Sequence, residues 1–430
     1  MIKTSTMRQA DRWLGVPVCL ALTAVRRLLD FFGHAAGREP PQRILFVKLV
    51  EQGSSVLACS AIRRAIDLVG RENVYFLVFQ ENRFILDAMG LLPSENVIAI
   101  RTAGLISAAV DALQIIRRIR ALEIDTAIDL EFFARSSAAL SFLSGARYRV
   151  GFQAFGGEGP YRGDLLTHRL RFNPYLHTSQ TFCMLVEALT IDGERLPTFD
   201  LEPVAAEDLP PPFCALPDEV DQARALLRKA SPDGRFQPLI LLNANCSDLL
   251  PLRRWPIERY RELARRLLHR FPEVRVAMTG GPEEGSAVAK LVEQVGSERC
   301  FNLAGRTTLR QLLVIYGLAE VLVTNDSGPA HFAALTPIDV VTLFGPENPR
   351  LFAARTARNH VFWAGIACSP CVSALNGRTS PCKDNICMQR IDVDRVFKEV
   401  CRIYETRTRV GELLQNSLAP DDQIATGPYR

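Results

Sequence analysis

The run Val321-Leu-Val-Thr-Asn-Asp-Ser-Gly-Pro-Ala-His331 places a carboxylate, a hydroxyl, a glycine and an imidazole directly after an apolar stretch. The pattern predicts a short buried strand that stops at Asn325-Asp326-Ser327-Gly328 and turns straight into a helix carrying His331. Asp, Ser and Gly are good N-cap formers. Free backbone N–H groups at such a turn, with the positive end of the helix dipole, make a ready phosphate site. An ordinary capped strand–helix junction of an α/β protein has the same appearance, so the rest of the chain must decide.

Three more polar junctions follow strand-like runs. Lys48-Leu-Val-Glu51-Gln-Gly53-Ser54 passes through a glycine turn into a helix. Asn243-Ala-Asn245-Cys-Ser247 opens a polar loop that ends at Arg253-Arg254-Trp255-Pro256, with the proline starting a helix. Thr279-Gly-Gly-Pro-Glu283-Glu284 is a Gly-Gly turn leading into acidic residues. With Asp326–His331 these make four polar turns at the carboxyl ends of strands, facing one crevice.

The elements that must position them alternate as in an α/β fold with parallel sheets. Strands are expected at 43–48, 74–79, 96–100 and 125–130, then at 239–242, 274–279, 321–324 and 340–344. Helical spacing is expected at 55–69, 105–122, 256–271, 283–295, 308–318 and 327–335. A Pro-rich stretch containing Pro210-Pro211-Pro212 separates the two sets. The organisation expected is a segment 1–40, a Rossmann-like domain 41–205, a linker 206–217, a second Rossmann-like domain 218–415 and a disordered tail 416–430. Two such halves imply a cleft between them, where ligands of these folds sit.

Composition fits a soluble globular protein, with 48% hydrophobic and 23% charged residues. A net charge of +4 over 430 residues, with no dense basic stripe interleaved with aromatics, argues against nucleic acid as a partner. Eleven cysteines, mostly scattered singly in apolar surroundings, argue for a reducing compartment over a disulfide scaffold. Cys368-Ser-Pro-Cys371 followed by Cys382 and Cys387 stands apart. It reads as structural zinc, as disulfides or as four free thiols. Near the N-terminus, Trp13 to Val25 is uncharged and bounded by Arg12 and by Arg26-Arg27. It is too short to span a bilayer, and the arginines sit where a signal peptide would be cleaved. An interfacial helix on a membrane surface and a helix packed on the protein itself both fit it, with the membrane surface favoured.

The four turns, in this order and spacing, resemble glycosyltransferase family 9, the ADP-heptose:lipopolysaccharide heptosyltransferases. The resemblance covers roughly residues 43–400 and rests most on Asn325–His331, Leu343-Phe-Gly-Pro346 and Arg254-Trp255-Pro256. It implies the GT-B architecture, two Rossmann-like domains facing across a cleft, and an inverting transfer that needs no metal cofactor. The donor would be a nucleoside-diphosphate sugar, with a heptose implied. The acceptor would be a lipid-linked glycan, reached from the cytoplasmic face of the membrane by a peripheral enzyme.

Residue by residue, the resemblance puts the amides of Ser327 and Gly328 on the diphosphate, and Asp326 and His331 beside the sugar and phosphates. Arg253 or Arg254 would contact the diphosphate, and Glu283 or Glu284 the nucleoside ribose, with Asn245 and Ser247 in the same donor site. Where the family pattern has Gly-Asp, with the Asp as general base, this chain has Gly53-Ser54. A serine hydroxyl is no base without an activating partner. Glu51, in the same turn, is the nearest carboxylate, with Asp129 or Glu131 as alternatives. A sugar-nucleotide epimerase on the same architecture and a non-catalytic sugar-nucleotide-binding protein are the competing readings.

Overall fold

A computed structural model describes residues 4–32, 39–101, 105–154, 157, 159–191, 209–246 and 250–418. It contains two six-stranded sheets. The first is formed by β1 (Ile44–Val47), β2 (Val74–Phe79), β3 (Val97–Ile100), β4 (Thr126–Asp129), β5 (Tyr148–Phe152) and β6 (His168–Leu170). The second is formed by β7 (Leu239–Asn243), β8 (Arg275–Met278), β9 (Cys300–Asn302), β10 (Val321–Asn325), β11 (Asp339–Phe344) and β12 (Asn359–Trp363). Strand order is β3-β2-β1-β4-β5-β6 in one and β9-β8-β7-β10-β11-β12 in the other. Every pairing is parallel. Both sheets therefore follow the doubly wound order, and each reverses direction once, between β1 and β4 and between β7 and β10.

The central strands are near-continuous apolar runs because helices cover both faces of each sheet. β1, β7, β10 and β11 are buried at every position. The eight strands expected from the sequence are all present, with ends shifted by at most one residue. β5, β6, β9 and β12 were not expected. All four lie toward the sheet edges and are short or only partly buried, so they lack the apolar run that marks a strand. The helix expected over 55–69 is two helices, Gln52–Leu57 and Cys59–Val69, joined at Ala58. That over 327–335 is shorter, Gly328–Ala333.

The Pro-rich stretch from 209 onward docks on the second sheet's helices. Phe213 N donates to Leu335 O at 2.7 Å, and the helix Pro217–Ala230 begins at its end. Residues 206–208 lie outside the described chain. The last helix, Val393–Leu418, runs into the segment expected to be a tail, and residues 419–430 lie outside the described residues.

The N-terminal segment is a single helix, Thr4–Phe31, docked on the first sheet's helix Arg135–Leu143. Cys19 is fully buried against Ala138 and Leu165. The Asp11 carboxylate accepts the N–H groups of Arg135 (3.0 Å) and Ser136 (2.7 Å), capping that helix from outside its own segment. Arg26 reaches both the carbonyl and the carboxylate of Asp164 at 2.7 Å. Gly163, at φ 72°, allows this approach, since a Cβ there would sit 2.6 Å from Thr23 Oγ1.

Candidate active site

The polar turns after β1, β7, β8 and β10 open into one cleft of about 570 Å³ between the two sheets. This is the crevice at the carboxyl ends of strands where a doubly wound sheet leaves room for a ligand.

Asn325, at the end of β10, builds one wall. Its Oδ1 accepts from Trp255 N (3.0 Å) and Tyr260 Oη (3.2 Å), while Nδ2 donates to the carbonyls of Ala244 (3.1 Å) and Asn245 (3.2 Å). Trp255 is buried and donates through Nε1 to Ile391 O at 3.0 Å. One buried amide thus clasps the loop after β7 to the end of β10. As a result Arg253 lies beside Asp326, with Nη1 and Oδ2 3.9 Å apart.

Among the described residues, Arg253 Nε, His331 Nδ1 and Thr279 Oγ1 are buried on this wall without hydrogen-bond partners. An unsatisfied buried polar group costs about 1–3 kcal/mol. Three on one wall mark where a polar ligand completes the site. Burial pushes the Asp326 carboxyl up to about 7 against the pull of Arg253, with Glu347 adding to the rise. Burial, then His177 and Arg253, hold His331 down at about 3, so its imidazole is neutral at physiological pH.

Ser327 precedes the helix with an extended backbone and no side-chain cap bond; its Oγ donates to Asn325 O at 3.1 Å. A Cβ on Gly328 would meet the Phe332 ring at 3.1 Å, so this glycine serves the packing of its own turn. At Gly280 a Cβ would lie 2.6 Å from Asn245 Nδ2 and 2.9 Å from Glu284 Oε2. That glycine lets Asn245 and the acidic turn close up beside Glu283 at the cleft. Arg253 is among the cleft-lining residues and Arg254 is not; Arg254 turns to donate to Cys246 O at 3.3 Å. Ser247 lies outside the described residues.

The opposite wall is the turn after β1. Glu51 adopts a left-handed backbone, φ 69°, an uncommon choice for a residue with a side chain and one that clusters at functional sites. Ser54 lines the cleft, and its hydroxyl donates to Glu51 O at 2.8 Å. Gly53 is where the two walls meet. A Cβ there would fall 2.5 Å from His331 Cδ2 and 3.4 Å from Gly328 Cα.

The Glu51 carboxylate keeps 23% of its side-chain surface exposed, enough for a ligand to reach. It accepts from Arg378 Nη1 at 2.5 Å, with Arg8 Nη2 at 3.5 Å and Lys48 Nζ at 3.9 Å. Burial alone would raise its pKa, but Arg378, then Lys48 and Arg8, outweigh burial and hold it at about 2.

The alternative carboxylates are committed elsewhere. Glu131 accepts the N–H groups of Leu49 (2.8 Å) and Val50 (3.0 Å) and pairs with Lys48 at 3.0 Å, which fixes the turn that carries Glu51. Asp129 is fully buried, pairs with Arg162 and accepts from Ser137 Oγ at 2.8 Å. Burial raises its pKa to about 6.

Sequence reasoning missed Arg378 and Arg8, which come from segments read for cysteines and for membrane contact. Cys368, Cys371, Cys382 and Cys387 are free thiols, with Cys368 and Cys382 exposed and Cys387 buried. Among the described residues no group of three or more His, Cys, Asp or Glu side chains stands where it could hold a metal ion. Of the three readings of this cluster, the structure shows four free thiols, and their segment also carries Arg378 to the cleft.

The family described as Glycosyltransferase family 9 (heptosyltransferase) matches residues 112–379. Lipopolysaccharide heptosyltransferase 2 of Salmonella typhimurium is 32% identical over 149 residues, 34% of this chain and 42% of that protein. Lipooligosaccharide heptosyltransferase 2 of Haemophilus influenzae is 27% identical over 220 residues, 50% of this chain and 58% of that protein. The matches thus span about half the length of these relatives.

Among solved structures, E. coli ADP-heptose lps heptosyltransferase II superposes with a TM-score of 0.64 at 19% identity, covering 85% of this chain and all of that one. E. coli heptosyltransferase WaaC with ADP gives 0.57 at 16% identity, covering 84% and 100%. At these identities the likeness speaks to the fold, which is GT-B. The family match spans more than half of the sequence and includes the turns that build the cleft walls from β4 to Arg378: this chain belongs to glycosyltransferase family 9.

Proposed function

We propose that the protein is an inverting glycosyltransferase that moves a sugar, of the heptose class, from a nucleoside-diphosphate donor to a lipopolysaccharide-type acceptor. The observation that carries this reading is the set of unpartnered polar atoms on the wall of Asp326 and His331, facing the Glu51 carboxylate across one cleft. The donor diphosphate lies against Arg253 and the amides of the Ser327–Gly328 turn, with Asn245 and Glu283 toward the nucleoside. Fixed amides and a guanidinium meet the charge that develops as the nucleoside diphosphate departs. The acceptor hydroxyl attacks from the side of the β1 turn, and Glu51 takes its proton.

Serine at position 54 and the low proton affinity of Glu51 favour a second reading, a sugar-nucleotide-binding protein without turnover. The deciding assay follows release of free nucleoside diphosphate from a panel of ADP-, UDP- and GDP-sugars, with and without lipopolysaccharide core acceptor. Acceptor-dependent release supports the transferase. Donor binding with no release under any combination would falsify it in favour of the second reading.

The titration of Asp326 gives a signed prediction. Its pKa is raised by burial to about 7, so the group is neutral below that pH and anionic above it. A diphosphate diester keeps its charges throughout this range, and an ionised Asp326 beside it repels it. Affinity for a nucleoside-diphosphate sugar, measured by calorimetry from about pH 5.5 to 8.5, should fall as pH rises through about 7. Asp326→Asn should flatten the profile, whereas an unchanged slope in that variant assigns the titration elsewhere.

We also propose that the N-terminal helix rests on an anionic membrane surface at the cytoplasmic face, presenting the cleft to a lipid-linked acceptor. Among the described residues no helix is long and apolar enough to cross a membrane. The helix has two faces. Cys19 and Thr23 pack inward, while Trp13 (75% exposed), Leu14, Leu28 and Phe31 (84% exposed) stand outward beside exposed Arg12 and Arg27. Exposed aromatics with flanking arginines suit the headgroup boundary. Because the inward face is built into the fold, point changes test this better than deletion. Trp13→Glu with Phe31→Glu should abolish sedimentation with phosphatidylglycerol vesicles at unchanged melting temperature; equal partitioning of variant and parent removes the membrane role.

A further inference from the structure

Arg378 is the group in the cleft whose placement the donor–acceptor scheme leaves unexplained. It sits at the end of a built turn: Ser373 N donates to Asn376 Oδ1 (3.0 Å), Asn376 Nδ2 to Cys371 O (2.9 Å) and Arg378 N to Ser373 O (2.9 Å). Arg378 itself is left-handed, φ 55°, directly after Gly377 at φ 66°. The turn holds an uncommon backbone conformation that aims one guanidinium at the cleft.

That guanidinium bridges the two halves of the molecule. Nη1 donates to Glu51 Oε1 on the β1 turn at 2.5 Å. Nε (3.2 Å) and Nη2 (2.7 Å) both donate to Glu347 Oε1, and the ring of Phe352 lies 5.3 Å from the guanidinium carbon. Glu347 is fully buried, and its Oε2 has no partner among the described residues. The bond to Glu347 anchors Arg378 on the second sheet, so its bond to Glu51 can be exchanged without moving the arginine.

We propose that Arg378 is a positioning residue that holds the Glu51 carboxylate across the cleft and gives up that hydrogen bond to an anionic oxygen of bound substrate, leaving Glu51 to take the acceptor proton. This rests on the transferase reading above. Arg is suited to the exchange because its planar fork can serve two anionic oxygens at once. The step balances. The acceptor O–H proton passes to Glu51 Oε, the acceptor oxygen bonds to the anomeric carbon, and the bond from that carbon to the diphosphate oxygen breaks, its electron pair leaving on the nucleoside diphosphate.

Other charged groups near Glu51 are Lys48, Arg8, Arg253, Asp326 and Glu131, with His331 neutral beside Gly53. Arg378 is nearer to Glu51 than Arg8 or Lys48 and does more than either to hold its proton affinity down. Releasing that one bond returns the carboxylate toward the range where a general base is effective.

The anionic oxygen could belong to the donor diphosphate or to a phosphate or carboxylate on the acceptor. The two sources separate in one experiment on Arg378→Gln and Arg378→Lys, with melting temperatures to confirm folding. kcat/KM is followed against pH, and donor affinity is measured by calorimetry. If the proposal holds, Arg378→Gln loses at least tenfold in kcat, and the acidic limb of kcat/KM moves up toward the ordinary carboxylate range near 4.3. Arg378→Lys, which keeps the charge but not the fork, recovers part of the rate, and millimolar guanidinium partly rescues Arg378→Gln. Weakened donor affinity in Arg378→Gln assigns the anion to the diphosphate; unchanged donor affinity with raised acceptor KM assigns it to the acceptor. A rate loss with an unmoved limb and no rescue leaves only a structural role and overturns the proposal. Absence of transfer in the parent protein overturns the transferase reading and the proposal with it.

Discussion

Two doubly wound sheets meet here across a seam that carries charge on both sides. The carboxylates of Glu51, Glu131, Glu347 and Asp326 share that seam with Lys48, Arg8, Arg253 and Arg378. An isolated buried charge is costly, so each must find an opposite partner in reach. The pair that joins the two halves is Glu51 with Arg378. It works only because Gly53 lets the β1 turn approach His331 more closely than any side chain would allow. The position of one glycine and the reach of one arginine therefore set the geometry in which everything else in the cleft is placed.

On the second sheet the same economy appears in Asn325. Three of its four hydrogen bonds join the end of β10 to the loop after β7, adjacent strands at the switch point, and the fourth comes from Tyr260 in the helix that follows that loop. Two sequence elements far apart in the chain, Asn325–His331 and Arg254-Trp255-Pro256, thus act as one structural unit. The bond from Trp255 N to Asn325 Oδ1 ties them directly, and Arg253 and His331 beside that bond each keep a buried nitrogen without a hydrogen-bond partner among the described residues. Donors held in place by such hydrogen bonds can stabilise charge with little reorganisation.

Much of this was legible in the sequence because it is local. The central strands are apolar runs closed by polar turns, and the four turns named the cleft. Asp326, Ser327, Gly328, His331, Arg253, Asn245, Glu283, Glu51 and Ser54 all reach it. What was not legible is set by tertiary packing. The choice of Arg253 over Arg254 depends on which way a loop turns after Trp255 is buried. Arg378 is 327 residues from Glu51, and no spacing rule relates them. The edge strands were missed because half-buried segments such as Asn359–Trp363 lack an apolar run. The N-terminal helix, read as either a membrane or a packing element, has one face packed on the helix Arg135–Leu143 and one exposed face with apolar side chains.

We propose that the wall of Arg253, Asp326 and His331 holds the diphosphate of a sugar nucleotide opposite Glu51. The direct test is a crystal structure of the protein with ADP bound. The diphosphate should lie within hydrogen-bond distance of Arg253 and of the backbone amides at Ser327–Gly328, with the nucleoside running toward Asn245 and Glu283. A diphosphate seated on the first sheet's side of the cleft, or away from Arg253 altogether, would contradict it.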